Sequence, residues 1–316
     1  MMVREVKSVQ VRTSLPANKE PCVLVLGNFD GVHLGHRRLL EHGLGHAERL
    51  GVGLSVLIFE PHPLKVLFPE WELRLLSTTE ERLVYLKTIG VKTVYHLPFT
   101  KEMANTPPEQ FVEEILLPMG VLHVVVGFNY SFGAQGRGNP ELLQALGKKH
   151  GFGVSVLQAQ TIGGQVISSS GIRKAILHGD IRLASSLLGR PPCLRGTVVH
   201  GEERGRQLGY PTANILTSED YLIPKRGVYA VGACIYGRRV SGMMNIGMKP
   251  TFHDSYTTMV EVHFFDFNGD LYGSEIMVHI VEYLRDERKF NGVNELLLQL
   301  KKDGAKAEQI LREILV

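Results

Sequence analysis

Cysteine is scarce in this chain of 316 residues: Cys22, Cys193 and Cys234 are three, and far apart. An odd, dispersed set builds neither a disulfide framework nor a cysteine-based zinc site, and it suits a reducing compartment. Net charge is scarce too. The formal balance of +3 is too small to argue for a nucleic-acid or membrane surface, although anionic small molecules need only local positive charge. No apolar run is long enough to span a bilayer. The opening stretch MMVREVKSVQVRTSLPANKE lacks the apolar centre of a secretory signal. The expectation is a cytoplasmic protein with small-molecule partners and no nucleic-acid or membrane partner. Composition does not choose between a monomer and a weak homo-oligomer. Internal repeats, low-complexity segments and a G-x-x-x-x-G-K-[ST] phosphate loop are also missing.

What is present divides into two patterns. From residue 21 to about 185, short runs rich in Val, Ile and Leu alternate with helix-like segments. CVLVLG (22–27), LSVLIF (54–59), VYHL (94–97), LHVVVG (122–127) and VSVLQA (154–159) suit strands buried on both faces of a parallel sheet. Between them, Thr78-x-x-Glu81 predicts a capping box. TPPEQFVEEILL has prolines suited to a first helical turn, and NPELLQALGKKHG closes on lysines and glycine. This alternation predicts a Rossmann-like doubly wound α/β domain over residues 1–185, with its ligand at the carboxyl ends of the strands. From residue 186 the period changes. CLRGTVVHG, GVYAVGACIYG, RRVSGMMNIG, TTMVEVHFFDF and SEIMVHIVEYL read as consecutive strands, with YGRR and FNGD as turn signals between them. They predict a compact antiparallel β-barrel over 186–316, closed by a C-terminal helix that breaks near Gly304. LLGRPPC (187–193) reads as the linker.

The first chemical constellation is GNFDGVHLGHRRLL (27–40), a turn leaving a strand and entering a helix. Backbone N–H groups at a helix start favour anions, and Gly27, Gly31 and Gly35 permit close approach. His33 and His36 can donate to phosphate oxygens, more strongly when protonated. A metal site extended through His42 and His46 competes, but no Asp, Glu or Cys at ligand spacing completes it. A Gly-rich turn with surface histidines is the third reading. FEPHP (59–63), GFNYSFGAQGRG (127–138) and ISSSGIR (167–173) all fall where strands end, so a parallel sheet gathers them at one edge. Taken singly they could be a rigid turn, core aromatics and a helix cap. Asp30 is expected to brace the turn.

The second constellation is GTVVHGEERGRQLGYPTANI (196–215), a loop with Gly201, Gly205 and Gly209 followed by Thr212 and Asn214. Thr212 and Asn214 are one strand period apart and share a face. Two neutral oxygens hold Mg²⁺ only with nucleotide phosphates and water to complete the shell, and ordinary edge polarity is the rival reading. Glu261 shares a face with Met259 and His263. It is either a solvated outer residue or a general base near a hydroxyl. YLRDERKF (283–290) is either a solvated turn or a lid.

GNFDGVHLGH with ISSSGIR resembles the HxGH nucleotidylyltransferases, and with FEPHP and GFNYSFG it resembles the adenylyltransferase domain of prokaryotic bifunctional riboflavin kinase/FAD synthetases. No KMSKS-like partner marks an aminoacyl-tRNA synthetase. GRQLGYPTANI, GVYAV, MNIGMKPTF, VEVHFFDFNGDLYG and LRDERKF are similar to riboflavin kinases, in family order over residues 193–303. The resemblance implies ATP, riboflavin, FMN and FAD as substrates and products, with Mg²⁺ as cofactor, and a six-stranded barrel. It implies that His33 and His36 hold ATP phosphates, that Arg173 adds a guanidinium fork, and that Ser169 and Ser170 add hydroxyls. Gly27, Phe29 and Gly31 would complete the phosphate turn, with Asn129, Phe59 and His62 toward the flavin nucleotide. The family often has Thr where Ser170 stands and varies where Gly171 stands, and the hydroxyl is retained. In the second domain the resemblance implies Glu261 as base, Thr212 and Asn214 as metal ligands, Gly201, Gly205, Arg206 and Gly209 over the phosphates, and Arg285 and Phe290 over the flavin. An enzyme with one live activity, the kinase, and a flavin-binding regulator without turnover are the rivals. The presence of His33, His36, Arg173, Thr212, Asn214 and Glu261 speaks against the regulator.

Overall fold

The structure, a computed structural model, describes residues 9–201, 205, 208–250 and 256–315. The chain divides into two compact units, Met1–Ser169 and Ser170–Val316.

In the first unit, β1 (Gln10–Arg12), β2 (Cys22–Leu26), β3 (Gly53–Glu60), β4 (Thr93–Pro98), β5 (Val121–Gly127) and β6 (Gly153–Leu157) form a parallel sheet in the order β1-β4-β3-β2-β5-β6. β2 is buried at every position. Its alternate residues feed two cores, Val23 and Val25 on one face, Leu24 and Leu26 on the other. That is why the strand reads as an unbroken apolar run. The helices are α1 (Leu34–Leu50), α2 (Pro63–Leu67), α3 (Thr79–Ile89), α4 (Lys101–Ala104), α5 (Pro108–Phe111) and α6 (Pro140–His150). The Thr78/Glu81 capping box forms: the Glu81 N–H donates to the Thr78 hydroxyl (3.2 Å), and the Thr78 N–H donates to the Glu81 carboxylate (2.9 Å). α5 starts on its proline as expected but passes into a π-helical turn, Val112–Leu116. A small hairpin, β7 (Thr161–Ile162) and β8 (Gln165–Val166), precedes ISSSGIR. Strand order reverses at β2, with β3 on one side and β5 on the other. The crevice at that reversal is where a doubly wound sheet binds its ligand.

In the second unit, α7 (Ser169–His178, beginning one residue before the division) and α8 (Ile181–Leu188) precede the barrel. β9 (Cys193–Val199), β10 (Ala213–Thr217), β11 (Gly227–Ile235), β12 (Arg238–Pro250), β13 (Tyr256–Phe264) and β14 (Glu275–Arg285) close in the order β10-β13-β12-β11-β14-β9. Tyr229, Val231, Met244, Ile246, Val260, Val262 and Ile280 fill the interior. Val228, Ala230, Val281 and Leu284 face outward and pack against Ala307 and Leu311 of α9 (Val293–Leu315).

Of the two turn signals, YGRR holds and FNGD is corrected. Tyr236-Gly237 makes the two-residue turn between β11 and β12, with φ of 49° and 76°. FNGD, by contrast, lies in a longer link between β13 and β14, which are not neighbours in the barrel. The predicted break at Gly304 is absent, and α9 is continuous. A helical glycine costs only about 1 kcal/mol. Buried Ala307 and Leu311 and the Asp303 ion pair sit within a turn or two and outweigh it.

Candidate active sites

The first site is built by the turn between β2 and α1. Phe29 (φ 53°), Gly31 (φ 78°) and Val32 (φ 39°) all adopt left-handed backbone. Glycine does so freely; Phe and Val are strained there by about 1–3 kcal/mol each, so the surroundings must hold them. Asp30 supplies the hold. Its buried carboxylate accepts from the N–H of Leu76 (2.9 Å), the N–H of Ser77 (3.2 Å) and the Ser77 hydroxyl (3.3 Å). The Gly31 N–H donates back to the Ser77 hydroxyl (2.9 Å). The bracing role expected for Asp30 is what this geometry performs.

His33 caps α1: its Nδ1 accepts from the His36 N–H at 3.2 Å. The two imidazoles stack with centroids 3.7 Å apart and planes 12° from parallel, and Phe29 packs against His36 at 5.1 Å. Burial first, and His33 second, hold the His36 pKa well below the ordinary histidine value. Burial thus favours the neutral imidazole of His36. Its Nδ1 is buried with no hydrogen-bond partner among the described residues.

The other strand-end motifs are placed as follows. His62 is buried and caps α2, its Nδ1 accepting from the Leu64 N–H at 3.2 Å. Phe59 packs edge-on to Phe99 at 5.3 Å. Gly27 ends below the Phe29 ring. Phe132 is core and Tyr130 packs on that core, whereas Phe128 and Asn129 are exposed after β5. The Ser169 hydroxyl donates to the Asp30 carbonyl at 3.0 Å, tying Ser169 to the turn. Ser170 and Arg173 belong to the second unit. The alternative metal cluster is not supported: among the described residues no group of three His, Cys, Asp or Glu is arranged to hold an ion.

Sequence reasoning missed Arg82. It is 1% exposed, yet its guanidinium reaches the Asn28 carbonyl (3.3 Å), the Glu60 carboxylate (2.8 Å) and the Thr79 hydroxyl (2.8 Å). The available signal was helical spacing. Arg82 shares the α3 face of Leu86 and Ile89, an apolar face where a cation needs a reason.

The second site lies on the outer face of the barrel. Val260, Val262 and Phe264 point inward, so Glu261 points outward, with Met259 and His263. Glu261 is directly opposite Asn214 on β10 and Asn245 on β12, giving a polar row across three strands. His263 extends it, donating from Nδ1 to the Pro211 carbonyl (2.8 Å) and so fixing the stretch that enters Thr212. Asn245 was not singled out from sequence, because its pairing depends on barrel register. Gly201 lies so close to the Asn214 amide that a Cβ would fall 2.1 Å from Nδ2. A larger residue there would have to push the Asn214 amide aside. The loop turns back at Gly205, whose carbonyl accepts from the N–H of Leu208 (3.1 Å) and Tyr210 (2.8 Å). Gly209 takes φ 81°. Arg206 lies outside the described residues.

Arg285 is already engaged within the protein. Its Nε and an η nitrogen donate to the buried Asp303 carboxylate of α9 at 2.9 and 2.7 Å. Phe290 sits 4.7 Å from the Arg288 guanidinium and 5.8 Å from that of Arg285. Residues 286–289 are exposed.

Comparison with known proteins decides the family. The model for FAD synthetase matches residues 15–171, and the model for riboflavin kinase matches residues 188–311. The bifunctional riboflavin kinase/FMN adenylyltransferase of Listeria monocytogenes is 40% identical over 89% of this chain and 90% of its own. That of Bacillus subtilis is 38% identical over 90% and 91%. This chain belongs to the bifunctional riboflavin kinase/FMN adenylyltransferase family. Its members join two transferases of flavin-nucleotide synthesis in one polypeptide, and each unit here carries one of the two domains. A solved structure from Streptococcus pneumoniae, described as a macrolide-efflux protein, shares the fold along 96% of this chain and 99% of its own, with a TM-score of 0.87 and 32% identity. The efflux description stays with that protein. Among the described residues, no helix is long and apolar enough to cross a membrane.

Proposed function

We propose that residues 186–316 transfer the γ-phosphate of ATP to the 5′-hydroxyl of riboflavin, and that residues 1–185 join the resulting FMN to a second ATP. The observation that carries this reading is the division of the groups. The stacked His33 and His36 belong to one compact unit, and the Asn214–Glu261–Asn245 row belongs to the other.

In the kinase step Glu261 accepts the hydroxyl proton as the oxygen attacks phosphorus and ADP leaves. Thr212 and Asn214 offer hard oxygens of the kind Mg²⁺ takes, beside the Glu261 strand, and would hold it. When bound, the metal supplies charge that offsets the phosphate oxygens. Gly201, Gly205 and Gly209 would allow their loop to approach the phosphates closely, and Arg206 would add charge there. Phe290, with Arg285 held by Asp303, would border the flavin. In the adenylyl step an FMN phosphate oxygen attacks the ATP α-phosphorus and pyrophosphate leaves. The turn at Gly27–Gly31 and the imidazoles of His33 and His36 stabilise charge on the departing oxygens, with the Ser169 hydroxyl adding a donor. Phe59, His62 and Asn129, at the ends of β3 and β5, would meet the flavin nucleotide. A reducing, cytoplasmic setting fits three cysteines that are all free thiols.

The test is product chromatography with riboflavin, ATP and Mg²⁺. FMN and then FAD are expected; formation of neither refutes the reading. Glu261→Ala is expected to lower FMN formation by about 10²–10⁴-fold while FAD still forms from supplied FMN. Loss of both activities in a folded variant would contradict separate sites.

A further inference from the structure

Arg82 is a buried cation with a costly position. It is 1% exposed, and its Nε is buried with no hydrogen-bond partner among the described residues. Well-packed apolar residues commonly replace buried ion pairs without loss of stability, so packing alone does not account for a guanidinium here. Its partners do. The Asn28 carbonyl (3.3 Å) belongs to the turn that leads into His33 and His36. The Glu60 carboxylate (2.8 Å) ends β3 inside FEPHP, and the Thr79 hydroxyl (2.8 Å) opens α3. The Thr79 hydroxyl also donates to Glu60 at 2.9 Å, which closes the triangle. Three residues upstream of α3, Leu76 begins the segment that holds the Asp30 carboxylate. One short stretch, residues 76–82, therefore grips the phosphate turn at Asn28, Asp30 and Gly31 and ties it to the end of β3.

We propose that Arg82 is a positioning residue for adenylyl transfer, fixing the His33/His36 turn and the end of β3 in one geometry. The inference rests on the adenylyltransferase reading of this unit. A planar fork can hold two loops at once, whereas an ammonium acts as a point charge. Reaction geometry is sensitive: about 1 Å of misplacement costs on the order of 10²-fold in rate. The imidazoles act as charge builds on the leaving group, so their displacement lowers kcat more than it raises KM.

The test uses the full chain, with its riboflavin kinase activity as the internal measure of enzyme amount and thermal unfolding as the measure of folding in the first unit. Wild type, Arg82→Lys, Arg82→Met and Glu60→Gln are assayed for FAD formation from FMN and ATP, for FMN formation from riboflavin, and for thermal unfolding. The expected result is an adenylylation kcat about 10–100-fold lower in Arg82→Met, a smaller loss in Arg82→Lys and Glu60→Gln, KM for ATP within about threefold, and unchanged kinase rates. If Arg82→Met precipitates, Arg82→Lys decides alone. Wild-type kcat in Arg82→Lys, or a loss in every variant that vanishes when rates are taken per folded molecule, overturns the proposal. Absence of FAD with wild type refutes the adenylyltransferase reading instead, so the two failures are distinct.

Discussion

Asp30 shows how one carboxylate sustains a strained turn. Its acceptor oxygens satisfy two backbone N–H groups and a hydroxyl, in a place where water does not reach. Truncation leaves those donors unpaired, and an unpaired buried donor costs about 1–3 kcal/mol. Asp30→Ala is therefore expected to lower the unfolding free energy of the first unit by about 2–3 kcal/mol and to depress FAD formation, as chemical denaturation and product assay would measure. The His-x-x-His spacing was legible in sequence because a helix start fixes it locally. Arg82 and the Asn214–Glu261–Asn245 row were less so. Arg82 touches residues 22 and 54 positions away, and the row needs three strands in register. The downward shift of the His36 pKa was also hidden, because burial rather than residue type drives it.

At the scale of elements, α1 is the lever that carries the histidines. It lies close against the sheet at Gly43, where an added Cβ would meet Val25 at 2.6 Å and Leu54 at 3.0 Å. β-Branched Val25 cannot swing aside cheaply. Gly43→Ala is expected to destabilise the first unit by about 1–3 kcal/mol despite the better helix propensity of alanine, and a rise in melting temperature would contradict this. Farther along α1, His46 stacks on His123 of β5 at 3.9 Å, His42 lies 4.8 Å from His46, and the Ser155 hydroxyl on β6 bonds His123 at 2.9 Å. Burial first, then the facing His46, His42 and Arg49, lower the His123 pKa to about 4. Below the unfolded value of about 6.5, the unfolded chain binds a proton that the folded chain refuses. Stability is thus full above pH 6.5 and declines as pH falls toward 4. His123→Gln should flatten that decline in a pH series of unfolding curves. The types of the main sheet strands and of α3 were legible, because β2 is apolar at every position and the capping box announces α3, whereas β1, β10 and the β7–β8 hairpin were not singled out. The continuity of α9 and the link through FNGD were not, since both follow from barrel closure and packing.

The whole molecule sets two transferases side by side in sequence, each with its own core. The sheet reversal at β2 and the closed barrel each create one place where polar groups gather. The strand-to-helix alternation and the later run of strands made both architectures readable, since period 2 and period 3.6 patterns differ. Assignment of a step to each unit is the central claim, and one measurement tests it most directly. Full-length His36→Ala, given riboflavin, ATP and Mg²⁺, is followed by chromatography over time. The account predicts FMN accumulating at the wild-type rate with FAD formation at least about 10²-fold slower. FAD at the wild-type rate, or loss of FMN along with FAD, would contradict it.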